Sequence, residues 1–300
     1  MTPADPLHPP AAAHRIDALA AGPLGVLIYP IAQFGRLLGK SVIGFGYFTL
    51  FFFATVRGFF HPRSWAKRDR IGVQLFFVGT TSIPVLMLTG LFIGAVLAFE
   101  GYLQFKMIGQ ENRLGGVINL SLVKQLGPVL AAVILAGRVG CSLTAELGSM
   151  RVTEQLDAMK AMAADPIRVL VVPRVLACLF MIPTLTVISQ LLGLVGGYLV
   201  TVQYYGADPD QYWRYTESFV GWFDVVNGLV KSLFFGVAIA TVACYKGFNC
   251  KPGAEGVGRA TTDSFVTSFI AIIALNLILV KFMNDLEVWI TGGDIGSLFA

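Results

Sequence analysis

GRVGCSLTAELGSMRVTEQLDAMKAMAADP, residues 137–166, is the longest polar interruption between two very apolar segments of this 300-residue chain. Its charges alternate in sign (Arg138, Glu146, Arg151, Glu154, Asp157, Lys160, Asp165) instead of forming a one-sign tail. Val152, Leu156, Met159 and Ala163 recur at intervals of four, three and four, so a helix puts them on one face and Glu154, Asp157 and Lys160 on the other. The pattern predicts a docking helix over 150–165. Asp165-Pro166 ends it, because a proline disfavours helical geometry in the residue before it.

On both sides of this stretch the chain is too apolar for a soluble domain of its size: 55% hydrophobic, 13% charged, mean hydropathy +0.71. Ordinary globular domains carry about a quarter charged residues. The expected fold class is therefore an all-α integral membrane protein with one membrane domain. Cys141, Cys178, Cys244 and Cys250 occur singly with no CxxC pair, which points to small packing residues and to neither a disulfide framework nor a zinc site. His8, His14 and His61 all precede the first clear span, so no metal centre is expected within the membrane. GxxxxGK[ST] is absent, and no Ser, His and Asp grouping with membrane-enzyme spacing stands out. No cofactor is expected on this chain and no nucleic-acid partner. Transport against a gradient requires energy from another subunit.

Residues 1–29, rich in Ala and Pro, read as a disordered cytoplasmic tail and not a signal peptide. Residues 31–60 contain the uncharged run SVIGFGYFTLFFFATV (41–56), only 16 residues long and interrupted by Gly44 and Gly46. A spanning helix needs about 20, so an interfacial or half-inserted elbow is preferred over a full span. Five stronger spans follow at about 71–100 (with a kink at Pro84), 114–148, 169–204, 225–245 and 263–283, and 285–300 forms an outer tail. Gly90 with Gly94, and the Gly193, Gly196, Gly197 group, predict close helix approach. With the N-terminus inside, the inner segments 1–70, 150–174 and 246–259 hold eight, four and three Lys/Arg, whereas the outer segments 104–114, 204–222 and 281–300 hold two, one and one. That asymmetry puts 150–165 and the N-terminus in the cytoplasm and the C-terminus outside.

Lys124, Lys231 and Glu100 are residues that a lipid-facing helix would not carry, since a mid-membrane charge costs about 2.5 to 3.5 kcal/mol on insertion scales. Either the lysines snorkel to the outer interface, or they face a cavity where outward cations hold an anionic headgroup between apolar walls. Arg138 and Glu146, eight residues apart on nearly one helix face, suggest a structural ion pair.

GLFIGAVLAFEGYL (90–103), LVKQLGPVLAAVILAGRVG (122–140), LTAELGSMRVTEQLDAMKAMAADPIRVLVVPRVLA (143–177), VVNGLVKSLFFG (225–236) and GVGRATTDSFV (256–266) together resemble the MlaE/YrbE permeases. These are the membrane subunits of Mla-type and Mce-type ABC lipid transporters. The resemblance covers roughly residues 30–283, and AELGSMRVTEQLDAM is its most specific block. It implies a homodimer of elbow-plus-five-span chains in the bacterial inner membrane. Each chain would contact a cytoplasmic ABC ATPase, which holds the ATP and Mg, through the coupling helix 150–165, with Arg151, Glu154, Gln155, Asp157 and Met159 as candidate contacts. An MCE-domain hexamer on the periplasmic face, a small cytoplasmic accessory subunit and a phospholipid cargo are the other implied partners. By the same resemblance Leu97, Lys124, Gln125 and Leu126, with Glu100 and Lys231 beside them, fall in a lipid pocket at the dimer interface. Related chains often carry an acid at the Gln125 position, and the amide here leaves Lys124 without that neighbour. Two other readings are an ion-coupled secondary carrier, which should show inverted repeats and a mid-membrane acid where this chain has Asn276, and a membrane scaffold that only anchors an ATPase.

Overall fold

The computed structural model describes residues 25–59 and 68–290, and among the described residues there is no strand. In chain order the helices are α1 (Gly25–Phe59), α2 (Arg68–Gly79), α3 (Ile83–Met107), α4 (Leu114–Val152), α5 (Gln155–Ala161), α6 (Ile167–Tyr204), α7 (Pro209–Phe219), α8 (Trp222–Phe248) and α9 (Ala254–Ile290). Six stretches among the described residues are long and apolar enough to cross a bilayer: 42–59 in α1, Ile71–Met107 across α2 and α3, and α4, α6, α8 and α9. The all-α membrane architecture expected from composition is the one observed. Residues 1–24 of the expected tail, 60–67 ahead of the first strong span, and 291–300 lie outside the described residues.

As far as Ala54, α1 forms a unit by itself, and a helical bundle begins at Thr55. α1 is one continuous helix of 35 residues. Gly44 and Gly46 lie inside it without interrupting it, and its 42–59 stretch has the length to span a bilayer as well as to lie along an interface.

Within the bundle α6 is central, packed against α2, α3, α4 and α8, and α8 in turn packs against α4 and α9. Small residues permit the α3–α6 contact. A Cβ added at Gly90 would collide with the Ser189 carbonyl, one at Gly94 with the Gly193 carbonyl, and one at Gly196 with the Leu91 carbonyl. The backbones therefore touch directly, which in a bilayer supplies the dispersion contact that a hydrophobic driving force cannot. The first strong span is broken at residues 80–82, and Pro84 sits in the first turn of α3, where its missing N–H leaves no helical bond unmade. Thr144 ties the other end together: its hydroxyl lies 3.1 Å from the Ala243 carbonyl of α8 and 2.8 Å from Ser264 Oγ of α9.

Three sequence boundaries change. α1 begins at Gly25, so residues 25–29 of the expected disordered tail are helical. α9 continues to Ile290, so Asp285 and Glu287, assigned to an outer tail, belong to a helix. The expected 150–165 helix is instead the end of α4, a break at Thr153–Glu154, and the short helix α5.

A Gly94→Leu substitution forces α3 away from α6 and should destabilise the bundle by about 3 kcal/mol or more, the upper end of overpacking costs. Gly72→Ala, where nothing lies within 4 Å of an added Cβ, should be nearly neutral. Thermal melting in detergent separates the two.

Candidate functional site

α4 is not a uniform α-helix. Leu122–Leu126 widens into a π-turn in which the Gly127 N–H reaches back to the Leu122 carbonyl. Pro128 follows and has no N–H to continue the ladder, so carbonyls of this turn take side-chain donors instead. Gln190 Nε2 of α6 donates to the Val123 carbonyl at 3.0 Å, and Lys231 Nζ of α8 donates to the Lys124 carbonyl at 2.9 Å. Gly228 allows α8 this close, since a Cβ there would lie 2.5 Å from the Val123 carbonyl oxygen.

Lys231 is 1% exposed and donates a second bond to Gln125 Oε1 at 2.9 Å. The Lys124 side chain leaves the same turn in another direction. Its ammonium lies 3.0 Å from Asp224 Oδ1 of α8 and 2.9 Å from Glu287 Oε2 of α9, with side-chain exposures of 26% for Lys124, 9% for Asp224 and 19% for Glu287. Asp224 is held by the start of its own helix, where its Oδ2 accepts the Gly221 N–H at 3.0 Å and the helix dipole favours its charge. Asp224, Asn227 and Lys231 are spaced by three and four residues, so they share one face of α8; Asn227 is fully buried there. The four charges cancel, and this lets them persist among apolar helices.

At the other end of α4 the chain turns sharply. Glu154 (φ 59°) and Ala163 (φ 55°) adopt left-handed backbone and bracket α5, a conformation that costs a non-glycine residue energy. Leu156, 1% exposed, anchors α5, while Glu154, Gln155, Asp157 and Lys160 face outward. Asp157 accepts from Arg151 Nη1 at 2.8 Å and from Lys160 Nζ at 3.1 Å. The hydrogen bond from Lys160, with the charge of Arg151 beside it, holds the Asp157 carboxyl below its ordinary range. What this cluster contributes to order is present above the ordinary carboxylate pKa and is lost as pH falls through the lower folded value. Behind α5 lies a groove of about 740 Å³ lined by Met150, Met159, Met162, Leu170 and Arg174. Arg174, nearly buried, pairs with Glu146 at 2.9 Å and donates to the Leu170 carbonyl at 2.8 Å.

Residues 71–282 match the family model described as Permease MlaE. The chain belongs to the MlaE permease family. The permease is 36% identical over 258 residues to the intermembrane phospholipid transport system permease protein MlaE of Haemophilus influenzae, covering 84% of this chain and 98% of that protein. It is 40% identical over 257 residues to a "Probable ABC transporter permease protein" of Rickettsia typhi, with the same two coverages. A third relative, a "Probable ABC transporter permease protein" of Synechocystis, is 41% identical over 229 residues, 76% of this chain and 87% of that protein.

Of the six residues expected at a lipid pocket, the permease brings Lys124, Gln125 and Lys231 together, with Leu126 in the same π-turn and partly buried. Leu97 and Glu100 are on α3. Leu97 packs on Ala98, Tyr102, Leu114, Ile118 and Val200, and exposed Glu100 accepts from Gln104 Nε2 at 3.3 Å. Among the expected coupling residues, Glu154 and Gln155 are exposed, Arg151 and Asp157 pair, and half-buried Met159 lines the groove. Ala163, expected on the buried face, is exposed. The expected Arg138–Glu146 pair does not form: Arg138 is exposed, and Glu146 takes Arg174. Lys231 does not snorkel; its ammonium is spent on the π-turn. Lys124 lacks an acid at position 125 and finds two on other helices.

Sequence reading missed Asp224, Asn227 and Glu287. The first two carried a signal, since Asp224, Asn227 and Lys231 repeat at helical spacing. Glu287 carried none. Lys124→Met removes the ammonium that Asp224 and Glu287 share and should cost about 3–5 kcal/mol. Lys231→Met removes two bonds to neutral acceptors and should cost about 1–3 kcal/mol. Detergent melting curves of the two variants should keep that order.

Proposed function

We propose that this permease is the membrane subunit of an ABC transporter that moves phospholipid between the bacterial inner membrane and a periplasmic MCE-domain hexamer. ATP and Mg bind on a separate cytoplasmic ATPase. The observation that carries the reading is α5, a short helix pinned by Leu156, bracketed by two left-handed residues, and presenting Glu154, Gln155 and Asp157 outward. A rigid polar knob between two spans is what a soluble motor needs in order to push on a membrane domain. The relatives' names, ABC transporter permease and intermembrane phospholipid transport, support the same reading. The Lys/Arg asymmetry of the loops supports a cytoplasmic α5.

A protomer shows broad apolar faces, with Phe92 and Val96 on α3 and Leu277, Ile278 and Phe282 on α9 among the exposed side chains. Two protomers enclosing an apolar cavity would cover such faces, and lipid tails fit the same chemistry. A motor stroke delivered at Glu154 and Asp157 passes through buried Leu156 to the joined ends of α4 and α6. From there it tilts helices that meet directly through glycine, narrowing the cavity and driving lipid to or from the MCE partner. A small cytoplasmic accessory subunit belongs to the same proposed assembly.

Native mass spectrometry of the complex, drawn from its own membranes through a tag on this chain, tests the proposal. The expected species holds two permease chains, two ATPase subunits and bound phospholipid. Glu154→Ala with Asp157→Ala should release the ATPase while leaving the permease dimer folded and lipid-loaded. A complex that keeps its ATPase and transport after both changes refutes the coupling role, and a wild-type complex without lipid refutes the cargo.

A further inference from the structure

On loop charge, residues 204–222 read as an outer loop, yet α7 does not stand clear of the bundle. Asp208 caps it, its Oδ1 accepting the Asp210 N–H at 3.0 Å, and Pro209 occupies its first turn, so its start is fixed. The backbone of α7 meets the first turn of α4. A Cβ at Gly116 would lie 2.6 Å from the Tyr215 carbonyl oxygen, and one at Gly115 2.6 Å from the Tyr212 ring. Deeper in α4, Asn119 Nδ2 donates to Tyr212 Oη at 3.0 Å and to Thr216 Oγ1 at 2.8 Å. Trp213 stacks on Tyr198 of α6 with ring centroids 5.8 Å apart. Asn119 lies about 7.5 Å inside the start of α4, and Tyr198 about 9 Å inside the end of α6, at the helical rise per residue. A charged helix is therefore level with the last turns of two spanning helices.

The three tryptophans among the described residues all lie at this end of the bundle, the one away from α5: Trp213 on α7, Trp222 at the start of α8 and Trp289 one residue before the end of α9. Asp224 and Glu287 meet at Lys124, which sets the start of α8 beside the end of α9. Trp213, Trp222 and Trp289 are 50%, 81% and 80% exposed, and Tyr204 at the end of α6 is 71% exposed. Rings with an apolar body and a polar tip suit a layer that is oily on one side and wet on the other. α7 is ordered for the same layer. Tyr212, Tyr215, Thr216 and Phe219 form its packed side, and exposed Asp210, Arg214 and Glu217 lie across from it. Trp213, about 100° round the helix from Tyr212, occupies the flank between. We propose that α7 lies in the headgroup layer of the bilayer and, with Trp222 and Trp289, forms an aromatic collar that sets how deep the permease sits. A helix seated 5–10 Å into that layer is the usual depth of an interfacial helix, roughly the reach of α7 along α4 and α6. A soluble partner at this end would meet the charged side of α7, and the Trp213 flank is left to lipid. This placement depends on the spanning bundle alone, not on the cargo or the partner subunits.

The test uses the full-length permease in phosphatidylcholine vesicles, with Trp65→Phe, Trp222→Phe and Trp289→Phe leaving Trp213 as the sole tryptophan. Its emission should be quenched severalfold more by lipid brominated near the headgroup than by lipid brominated near the chain end, and it should resist aqueous iodide. Iodide quenching as strong as for free tryptophan, with none from either lipid, overturns the proposal and gives the surface to a soluble partner. Protection from iodide without quenching by either lipid also overturns it and assigns the ring to a protein contact. So does stronger quenching from the chain-end bromine, which places Trp213 in the hydrocarbon. Wild type in nanodiscs supplies a measurement that needs no substitution. Hydroxyl-radical oxidation of Trp213, Trp222 and Trp289, read by mass spectrometry and corrected for intrinsic reactivity, should be severalfold slower than that of Met162, which is 73% exposed at the other end beside α5. Equal rates overturn the proposal, and none of these results touches the transport reading.

Discussion

Pro128 removes a backbone N–H from the middle of an apolar helix, and inside a bilayer no water stands ready to take its place. Unsatisfied carbonyls at that depth must find donors on neighbouring helices. The chain answers with Gln190 from α6 and Lys231 from α8, both reaching into the π-turn Leu122–Leu126. This one backbone defect cross-links three helices through directional bonds. The same turn redirects Lys124 toward α9, so the electrostatic centre of the molecule follows from a missing hydrogen.

Burying Lys231 and half-burying Lys124 is tolerable only because the charges are matched. Asp224, stabilised by the start of α8, and Glu287, near the end of α9, stand opposite Lys124 at bonding distance. The arrangement is a matched ion cluster drawn from three helices, not a lone cation.

Stiffness between the two ends of the bundle comes from close backbone contact. Gly90, Gly94, Gly193 and Gly196 let α3 and α6 touch without intervening side chains. With little compressible material between them, displacement of one helix is carried to the next. α5 packs against the end of α4. Its left-handed residues at 154 and 163 set it off as a separate short helix.

Apolar composition, loop charge and the run of span-length segments determined the membrane class and the positions of the strong spans, because the bilayer imposes length and hydrophobicity residue by residue. The glycine contact between α3 and α6 was legible for a similar reason: small residues at fixed spacing mark a face before its partner is known. The chain's polar block and the motifs around Lys124 carried the family. Pairing was another matter. Arg138 and Glu146 share a helix face, yet Glu146 takes Arg174 from across the bundle; Lys124 finds Asp224 and Glu287, 100 and 163 residues away. Periodicity likewise gave a helix over 150–165 but not its break at Glu154, since local spacing does not register a left-handed residue imposed by the surrounding packing. Sequence determines which charges must be neutralised in a low-dielectric medium, and only tertiary structure decides which partners neutralise them, because long-range helix packing sets those distances.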